Sequence, residues 1–558
     1  MRSLATVTGL ALLSACGGGG AGGSGGNSNP PPPAAAMSQA DATRLLEQGT
    51  FGPTSTDIQH VQKVGAAAWI DEQLAQAPTG YQGFSYVSHV PPANCMPDGN
   101  PSSAATLCAR TNYSLFEVQR RFFVNALTGP DQLRQRVAWA LSQIFVVSGT
   151  EIYEAYGMAD YQNMLLKDAF GSYRQLIEDV TLSPVMGRYL DMVNNDKPNP
   201  ARGTTPNENY ARELLQLFSI GVQMLNADGT RQLDAQGRPI PTYDQNVIEG
   251  FSYLFTGWTF APRPGAAFQF GNPVNYDGTM VSFPDHHFTG AKTLLAGCNV
   301  LAGQTPEQDL KQALDCVFQH PNVGPFVSLR LIQHLVTSNP TPAYVGRVSA
   351  VFADDGHGVR GNLAAVVRAI LLDPEARGDA PSVAGSGHYR EPVLFMTTVL
   401  RALGGRSDGV YLRAAAAGMS QNVFAPPTVF NYYPPGYTLP GTQTLAPEFF
   451  IANAATALAR ANFVNRLIFG GGVPPDNTVT GATGTTLDLS AFANAPDTTT
   501  LVSNLSAALL HGSLSSTAAS AIVAAAQTSA PGATTAGLGQ AQSAAYLVAT
   551  SPQFQVER

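Results

Sequence analysis

Charged residues are scarce in this chain, which has 31 Lys and Arg and 39 Asp and Glu among its 558 residues. The net charge of −8 and the lack of basic clusters argue against a nucleic-acid-binding protein. After Cys16, no apolar run approaches the roughly 18 residues that a membrane-spanning helix requires. H-E-x-x-H, C-x-x-C and phosphate-binding-loop motifs are also missing, so the common metal and nucleotide signatures are excluded.

Cysteine is rare as well, with five in the whole chain. Four of them, Cys95, Cys108, Cys298 and Cys316, lie beyond the N-terminal region, and an even number suggests two disulfides if the chain works in an oxidising compartment. Four cysteines allow three pairings. We expect Cys95–Cys108 and Cys298–Cys316, because each pair lies within one local segment. The spacings match no zinc pattern.

The fifth cysteine, Cys16, ends a short N-terminal segment. Arg2 precedes an apolar run at 4–13, and Ser14-Ala15 come directly before the cysteine. This segment resembles the signal of bacterial lipoproteins, in which an acylated cysteine becomes the first mature residue. The resemblance implies that residues 1–15 are removed and that palmitate or a similar lipid on Cys16 binds the membrane. The alternative is an ordinary secretory signal with an incidental cysteine.

The residues after the cysteine are typical of a tether. Residues 16–36 hold the lipidated Cys and then mostly Gly, Ser and Pro, which predicts a flexible coil stiffened at its end by four prolines at 30–33. Gly17 follows the cysteine where Asp would favour retention in the inner membrane. By the same resemblance we expect the protein in the bacterial outer membrane, facing the periplasm or the cell surface.

Apolar residues recur at helical spacing along most of the chain, so the sequence predicts a mainly α fold. We expect a large multi-helix domain over 37–469 with small β-hairpin insertions. Over 470–558 we expect a loop and C-terminal helices that pack on this domain. Three polar residues precede apolar helical stripes and are predicted helix caps: Asp131, Asn207 and Asp244.

Strand signals are few. The clearest lies over 267–283, where Phe268 and Phe270 alternate before the Asp277-Gly278 turn and a further apolar run. A smaller hairpin is predicted from two turn signals, Asp228-Gly229 and Gln236-Gly237.

Five separated motifs carry a resemblance to a known family. In chain order they are Asn207–Phe218, Leu254–Trp258, Asp285–Thr293, Arg390–Pro392 and Tyr546–Phe554. Together they resemble the bacterial proteins grouped as domain of unknown function 1800, over about residues 38–558. Members of that family are exported, and their genes commonly neighbour a second exported family that resembles alkaline phosphatases and sulfatases. The resemblance implies such a protein as a partner, but it implies no chemistry.

One helix departs from the family pattern. Many members carry an aromatic–histidine cluster, roughly Phe-Trp-x-Asn-His-Phe, where this chain reads Trp139-Ala140-Leu141-Ser142-Gln143-Ile144-Phe145. Gln143 stands at the position of that histidine. A metal-binding or proton-transfer role of the histidine would therefore be missing from this chain.

Polar residues of two motifs form the candidate site. Glu208 and Arg212 share a helix face and can pair, and Glu213 lies about 100° further round the helix. His286 and His287 offer nitrogen ligands. If Glu208, Glu213, His286 and His287 converge, they would hold a divalent metal, the one cofactor considered, or perform acid–base chemistry. The alternative is structural, with a Glu208–Arg212 ion pair and histidines that serve packing.

Two functions remain open from the sequence. In the first, the chain is a lipid-tethered scaffold of the envelope that binds a partner protein or a polymer. The proline- and aromatic-rich run Pro426–Tyr437 would line its binding surface, or would form a buried loop. In the second, the chain is a metal-assisted envelope hydrolase that uses the Glu/His site. We favour the scaffold, because no recognised catalytic motif is present. Arg390 and Glu391, before Pro392, predict an ion pair at a helix start.

Overall fold

The computed structural model describes residues 37–383, 385–529 and 536–558. The predicted signal (1–15) and the Cys16 tether (16–36) lie outside the described residues. The described part contains 22 α-helices and eight strands, and each strand has only two residues. The predicted mainly α fold with small β insertions is therefore confirmed. In this part of the chain, no helix combines the length and the apolar character needed to cross a bilayer.

The N-terminal region is a group of nine helices. They are α1 (Gln39–Gly49), α2 (Ser55–Val64), α3 (Ala66–Leu74), α4 (Ala104–Asn112), α5 (Phe116–Thr128), α6 (Gln132–Ile144), α7 (Ala155–Asp168), α8 (Tyr173–Leu182) and α9 (Pro184–Tyr189). Ser38 and Thr54 begin the first two, since each side chain accepts a hydrogen bond from a backbone N–H of the first turn.

The helix α6 lies at the centre of the core, because every residue in it except Ser142 is buried. Asp131 precedes α6 as predicted, but its side chain makes no cap hydrogen bond. Its carboxylate instead accepts from the backbone N–H of Thr79 at 2.8 Å and from Nε2 of Gln135 at 3.0 Å. Asp131 thus joins the helix start to a distant loop, which the local sequence could not indicate.

The motif that begins at Asn207 forms a helix whose geometry changes half-way. It starts as α10 (Asn209–Glu213) and continues as a π-helix (Leu214–Ser219). The cap position is occupied by Glu208, not by Asn207 as predicted. Asn207 lies one residue earlier, and its side-chain oxygen accepts from the Asn209 N–H at 2.8 Å. π-Turns of this kind are often found near functional sites.

The smaller predicted hairpin is present between α10 and the next helix. Three antiparallel bridges hold it together: Gln223–Pro241, Leu225–Arg231 and Leu233–Pro239. The chain then enters α11 (Gln245–Leu254). Asp244 caps α11 as predicted, because its carboxylate accepts from the Val247 N–H at 3.1 Å.

The hairpin predicted over 267–283 is wrong. Only Val281–Ser282 (β2) is a strand there, and it pairs antiparallel with Trp258–Thr259 (β1). Phe268 and Phe270 alternate for another reason, since both pack against Phe283 with ring centroids 5.2 and 6.0 Å apart. The alternation reflects an aromatic cluster on an irregular loop.

The middle of the chain continues with one short hairpin and four helices. They are β3 (Lys292–Thr293), β4 (Asn299–Val300), α12 (Pro306–Gln319), α13 (Val323–Leu335), α14 (Pro342–Ala353) and α15 (Leu363–Leu372). Thr305 starts α12 with a capping box that includes the side chain of Gln308.

Several elements of the C-terminal third contribute buried residues to the core. Its elements are β5 (His388–Tyr389), α16 (Pro392–Ala402), β6 (Arg406–Ser407), α17 (Val410–Gly418), α18 (Ala454–Ile468), β7 (Thr485–Thr486), α19 (Ser490–Ala493), α20 (Thr498–Leu510), α21 (Ser516–Gln527), α22 (Leu538–Ala549) and β8 (Val556–Glu557). The strand β8 pairs antiparallel with β5, and β7 pairs with β6. Phe554 is fully buried against Phe395, with ring centroids 5.6 Å apart.

Both predicted cysteine pairings are confirmed. Cys95 and Cys108 are bonded with Cα atoms 5.1 Å apart, and Cys298 and Cys316 with Cα atoms 6.2 Å apart. These separations lie in the usual disulfide range. The first bond closes the loop that leads into α4, and the second joins the β3–β4 hairpin to α12.

Candidate functional site

His287 is buried where two of the sequence motifs meet. Its Nδ1 lies 2.9 Å from the carbonyl oxygen of Thr256, and its Nε2 lies 2.9 Å from Oδ2 of Asp309. Nζ of Lys292 lies 2.5 Å from the same Asp309 oxygen, and none of the three side chains has exposed surface. Both ring nitrogens are thus within hydrogen-bond distance of a protein oxygen. His287 ties the start of α12 to the turn that follows α11.

The turn at Gly257 explains why these two motifs fit together. Gly257 has φ of 82°, a conformation that side chains rarely adopt. A Cβ atom at this position would lie 3.0 Å from the backbone nitrogen of His287. The glycine in the Leu254–Trp258 motif therefore allows the backbone of the Asp285–Thr293 motif to come close to it.

His286 has different surroundings from its neighbour. Its ring stacks on Phe270, with centroids 3.8 Å apart and an angle of 8° between the planes. Nδ1 lies 3.0 Å from Oδ1 of Asp196 at the protein surface. This arrangement holds the loop that carries Phe270 against the turn at His286.

Glu208 lies at the N-terminal cap of α10, and Arg212 and Glu213 are its last two residues. Oε2 of Glu208 is 2.9 Å from Nη2 of Arg212, and Nε2 of Gln245 donates to both Glu208 oxygens at 2.9 and 3.0 Å. The Glu208–Arg212 pair is partly exposed. Glu213 is half-buried, and burial raises the pKa of its carboxyl group, although the charge of Arg212 partly offsets this.

The candidate residues from these motifs thus have separate partners. Across 37–383, 385–529 and 536–558, no three His, Cys, Asp or Glu side chains lie close enough together to hold a metal ion. The structure gives His287 a buried ion cluster, His286 an aromatic stack, and Glu208 an ion pair with an amide.

A second polar cluster surrounds Glu391 at the start of α16, and the sequence did not indicate it. The Glu391 carboxylate is buried and accepts three hydrogen bonds. Trp139 Nε1 donates to Oε1 at 2.5 Å, while Gln421 Nε2 and the Tyr433 hydroxyl donate to Oε2 at 2.6 and 2.7 Å. We call these four residues the Glu391 centre. A carboxylate with three donors in the core is satisfied and fixed in position.

Gln143 borders the Glu391 centre. The hydrogen-bond pattern favours the amide orientation in which its oxygen accepts from Trp139 Nε1 at 2.9 Å. Its nitrogen then donates to the Tyr433 hydroxyl at 2.9 Å and to Glu391 at 3.3 Å. Three distant segments meet here: the helix α6, the Arg390–Pro392 motif and the Pro426–Tyr437 run.

The ion pair predicted between Arg390 and Glu391 is wrong. Nη2 of Arg390 lies 3.1 Å from Oε1 of Glu47 in α1, and Nη1 lies 3.8 Å from Oε2 of Glu557 in β8. Adjacent residues in an extended backbone point to opposite sides, so Arg390 and Glu391 reach different partners.

His388 belongs to the same ion cluster. Its ring nitrogens lie 3.5 Å from Glu448 and 3.6 Å from Glu557. Burial alone would lower the pKa of His388, but the two carboxylates outweigh it and raise the pKa to about 10.

A small pocket of about 40 Å³ opens beside the Glu391 centre. Its lining combines polar groups with apolar rim residues: Gln143, Ile144, Leu217, Arg330, His334, Val429, Phe430, Asn431, Tyr433 and Pro435. We call it the Phe430 pocket. It has room for a few water-sized groups, such as a carboxyl, amide or hydroxyl.

The wall of the Phe430 pocket formed by α13 is electropositive. Burial lowers the pKa of Arg330 to about 10, and Arg330 has no Asp or Glu within 4.0 Å among the described residues. Its Nη1 instead donates to Gln333 at 3.0 Å. Burial, helped by the charges of Arg136, Arg330 and His388, lowers the pKa of His334 to about 3, so this imidazole is neutral near pH 7. The pocket thus offers a cation and neutral polar groups, and no Ser, Thr or Cys side chain lines it.

A comparison with known protein families shows to which family this chain belongs. The family described as "Protein of unknown function (DUF1800)" matches residues 44–556. The chain belongs to this DUF1800 family. No curated protein and no solved structure matches the DUF1800 chain. The family match spans every motif on which the resemblance was based.

Sequence reasoning missed three polar residues of this DUF1800 chain: Gln421, Arg330 and His334. Gln421 donates to Glu391, which lies 30 residues away, so no local pattern indicates that contact. One signal was available for the other two: Arg330 and His334 are four residues apart on a mainly apolar helix, where polar residues that face the protein need an explanation.

Proposed function

We propose that this chain is a non-catalytic binding protein of the bacterial envelope. It would act as a helical scaffold, anchored by a lipid on Cys16, that binds a partner protein or a polymer. The observation that carries the proposal is a group of apolar residues that are exposed (Phe430 and Phe450) or half-buried, three of which line the Phe430 pocket. We call Val429, Phe430, Pro435, Tyr437 and Phe450 the aromatic face.

Large side chains of the aromatic face are open to solvent. The exposed fraction is 40% for Phe430 and 53% for Phe450. Phe450 contacts the ring of Tyr437, with centroids 5.5 Å apart. Exposed apolar surface beside a polar pocket is typical of a recognition site.

The base of the aromatic face is fixed by buried hydrogen bonds. The Tyr432 hydroxyl donates to the carbonyl of Asn422 at 3.0 Å, and the Tyr433 hydroxyl reaches Glu391. Asn431 has φ of 68° and donates its backbone N–H to Thr428 at 3.1 Å, which closes a turn. Phe430 is therefore presented on a rigid turn, and binding would cost little conformational entropy.

The Phe430 pocket supports a ligand with a polar group beside an apolar one. Arg330 supplies N–H donors, and its charge favours a carbonyl, carboxyl or sulfate oxygen. A polymer of sugars, or a protein segment with an acidic or amide side chain, has this combination. The lack of a Ser, Thr or Cys nucleophile in the lining of the pocket favours binding over hydrolysis.

Site-specific photo-crosslinking tests the aromatic face. A benzophenone side chain would replace Phe430 or Phe450 in the full-length exported protein, with Phe268 as the matched control. Phe268 is equally exposed, at 54%, but lies outside the aromatic face. We expect a discrete crosslinked product in intact cells from positions 430 and 450, and none from 268.

The nature of that product identifies the class of partner. A product that protease removes is a protein, and one that a glycan hydrolase removes is a polymer. Phe430→Ser should lower the yield from position 450 by about tenfold, which corresponds to loss of roughly 1.4 kcal/mol of binding energy. Equal yields from 268 and 430, or no product from any position, would contradict the proposal.

The anchor and the first partner are tested separately. Labelled palmitate should enter the wild-type protein but not Cys16→Ser, and Cys16→Ser should leave the membrane fraction. The exported phosphatase- or sulfatase-like proteins that neighbour this family are the first partner to examine. Retention of Cys16→Ser in the membrane would refute the anchor while leaving the aromatic face open to its own test.

A further inference from the structure

A second cleft lies on the surface between α4, α5 and α17. Its volume is about 670 Å³, which is in the range of small-molecule sites. Aromatic and amide side chains line it together with two arginines, and the central members are Arg110, Tyr113, Phe116, Gln119, Tyr153 and Arg413. We call it the arginine cleft. None of these residues belongs to the aromatic face or to the Phe430 pocket.

Two arginines share one aromatic ring in this cleft. The guanidinium carbon of Arg110 lies 4.7 Å from the ring centroid of Phe116, and that of Arg413 lies 4.6 Å from it. Stacking on an aromatic ring orients a guanidinium and leaves its N–H groups able to donate. Both terminal nitrogens of Arg110 donate to Thr478, so Arg413 offers the more available donors. Two like charges close to one ring repel each other, and a bound anion would reduce that repulsion.

The arginines of the cleft are not neutralised by neighbouring carboxylates. Among the described residues, neither Arg110 nor Arg413 has an Asp or Glu within 4.0 Å. Burial lowers the pKa of Arg413, and the charge of Arg110 lowers it further. Nε of Arg413 is buried without a hydrogen-bond partner in the described part of the chain. A half-buried guanidinium that has no carboxylate partner in a cleft favours an external acceptor.

The nearby carboxylates have other partners. Glu117 lies 2.9 Å from Nε of Arg120, and Asp98 accepts from Ser103 at 2.7 Å. Asp476 feels the charge of Arg110, which contributes to its lowered pKa, but it accepts from Thr478. Arg110 is fixed by the same residue, since its Nη2 donates to the Thr478 carbonyl at 2.7 Å. Its position is therefore set before any ligand arrives.

The disulfide Cys95–Cys108 also prepares the arginine cleft. Pro97 and Thr106, which line one wall, lie within the loop that this bond closes. A covalently closed wall loses less entropy when a ligand is bound. The site is thus largely preformed.

We propose that the arginine cleft binds a small organic anion with a carboxylate or phosphate group. The anionic oxygens would accept from the guanidinium of Arg413 in the planar geometry that arginine offers to such groups, and the nearby charge of Arg110, which is held by Thr478, would add attraction. The body of the ligand would lie against Tyr113 and Tyr153. This inference does not depend on the aromatic face, so each can fail without the other.

Calorimetric titration of the full chain tests the proposal with two probes. Citrate carries only carboxylates, and inorganic pyrophosphate carries only phosphates. At low ionic strength, where such contacts are least screened, we expect saturable one-to-one binding of at least one probe with Kd of about 1 mM or tighter. Arg413→Gln should weaken this binding by about tenfold. Arg238→Gln, an exposed arginine on a distant hairpin, should leave it unchanged.

Chemical footprinting of the wild-type protein supplies a second measurement that needs no variant. Phenylglyoxal modifies accessible arginines, and mass spectrometry reports each one. The bound probe should protect Arg413 by several-fold while Arg238 reacts at its original rate. Absence of saturable binding by both probes would overturn the proposal. So would binding that leaves Arg413 unprotected, or equal affinity in a folded Arg413→Gln variant.

Discussion

At the scale of single residues, the main feature is a carboxylate in the core. Glu391 is buried, yet its three shortest hydrogen bonds come from two distant segments, the helix α6 and residues 421–433. Burying a charge is costly unless hydrogen bonds replace the lost water. The Glu391 centre meets this condition, so it contributes to the specificity of the fold as well as to its stability.

Glu391→Gln should destabilise the protein by about 2 kcal/mol. The substitution keeps the shape of the side chain, but its new N–H₂ group faces donors, so at least one buried hydrogen bond is lost. Urea denaturation followed by circular dichroism measures the change. Glu249→Gln is the matched control, because Glu249 is exposed and should change stability by less than about 0.5 kcal/mol. An equally small effect for Glu391→Gln would contradict this account of the centre.

Residue-level prediction from the sequence succeeded where the interaction is local. The Asp244 cap depends on a residue three positions away, so the sequence contains the whole interaction. The partners of Arg390 and Glu391 lie in α1, α6, β8 and the 421–433 segment. No spacing rule predicts such contacts, because they arise from the tertiary arrangement of the helices.

At the scale of elements, covalent ties compensate for very short strands. Two-residue strands supply few hydrogen bonds and little buried surface. The β3–β4 hairpin is held in addition by the bond from Cys298 to Cys316 on α12. The hairpin and the helix also meet through the buried Lys292–Asp309 pair.

Removing the Cys298–Cys316 bond should lower the free energy of unfolding by about 3 kcal/mol. The double variant Cys298→Ser with Cys316→Ser frees a segment whose neighbours are buried in the main core. Cys95→Ser with Cys108→Ser is the comparison, since no residue of α4 is buried and that region can open without unfolding the core. Thermal denaturation of the two double variants measures the difference. We expect the larger fall in Tm for the variant that lacks Cys298–Cys316. Equal falls in Tm would contradict this expectation, because both bonds would then contribute equally to stability.

Element-level prediction worked for long amphipathic segments and failed for alternating aromatics. The helices α11 and α16 follow directly from a cap or proline and an apolar stripe. The 267–283 alternation matched a strand pattern, but its aromatic residues pack on one another and on His286. The period of an alternating sequence pattern does not show whether its residues pair with a second strand or pack on aromatic rings.

At the scale of the whole molecule, buried histidines couple stability to pH. The pKa of His388 is raised to about 10 in the folded protein, against roughly 6.5 when unfolded. The contribution of His388 to the free energy of unfolding is complete below about pH 6.5 and is lost as the pH rises toward 10. The pKa of His334 is lowered to about 3, so its effect has the opposite sign: stability is lost as pH falls from about 6.5.

We therefore expect maximal stability near neutral pH, with two separable slopes. His388→Gln should flatten the decline on the alkaline side, and His334→Gln should flatten the decline on the acid side. His60→Gln, at an exposed pair with Glu72, should change neither slope. Urea denaturation between about pH 5 and pH 9 measures both. If the slopes are the same in all three variants, these histidines do not control the pH response.

The pairing of β8 with β5 also determines when this molecule can finish folding during synthesis or export. Arg390 needs Glu47 from near the beginning of the described chain and Glu557 from its far end. When the chain emerges N-terminus first, from a ribosome or through a membrane pore, both contacts of Arg390 cannot form until residue 557 has emerged. Before that moment the half-built molecule is open to proteases and chaperones, so its survival would depend on how quickly the remaining residues follow.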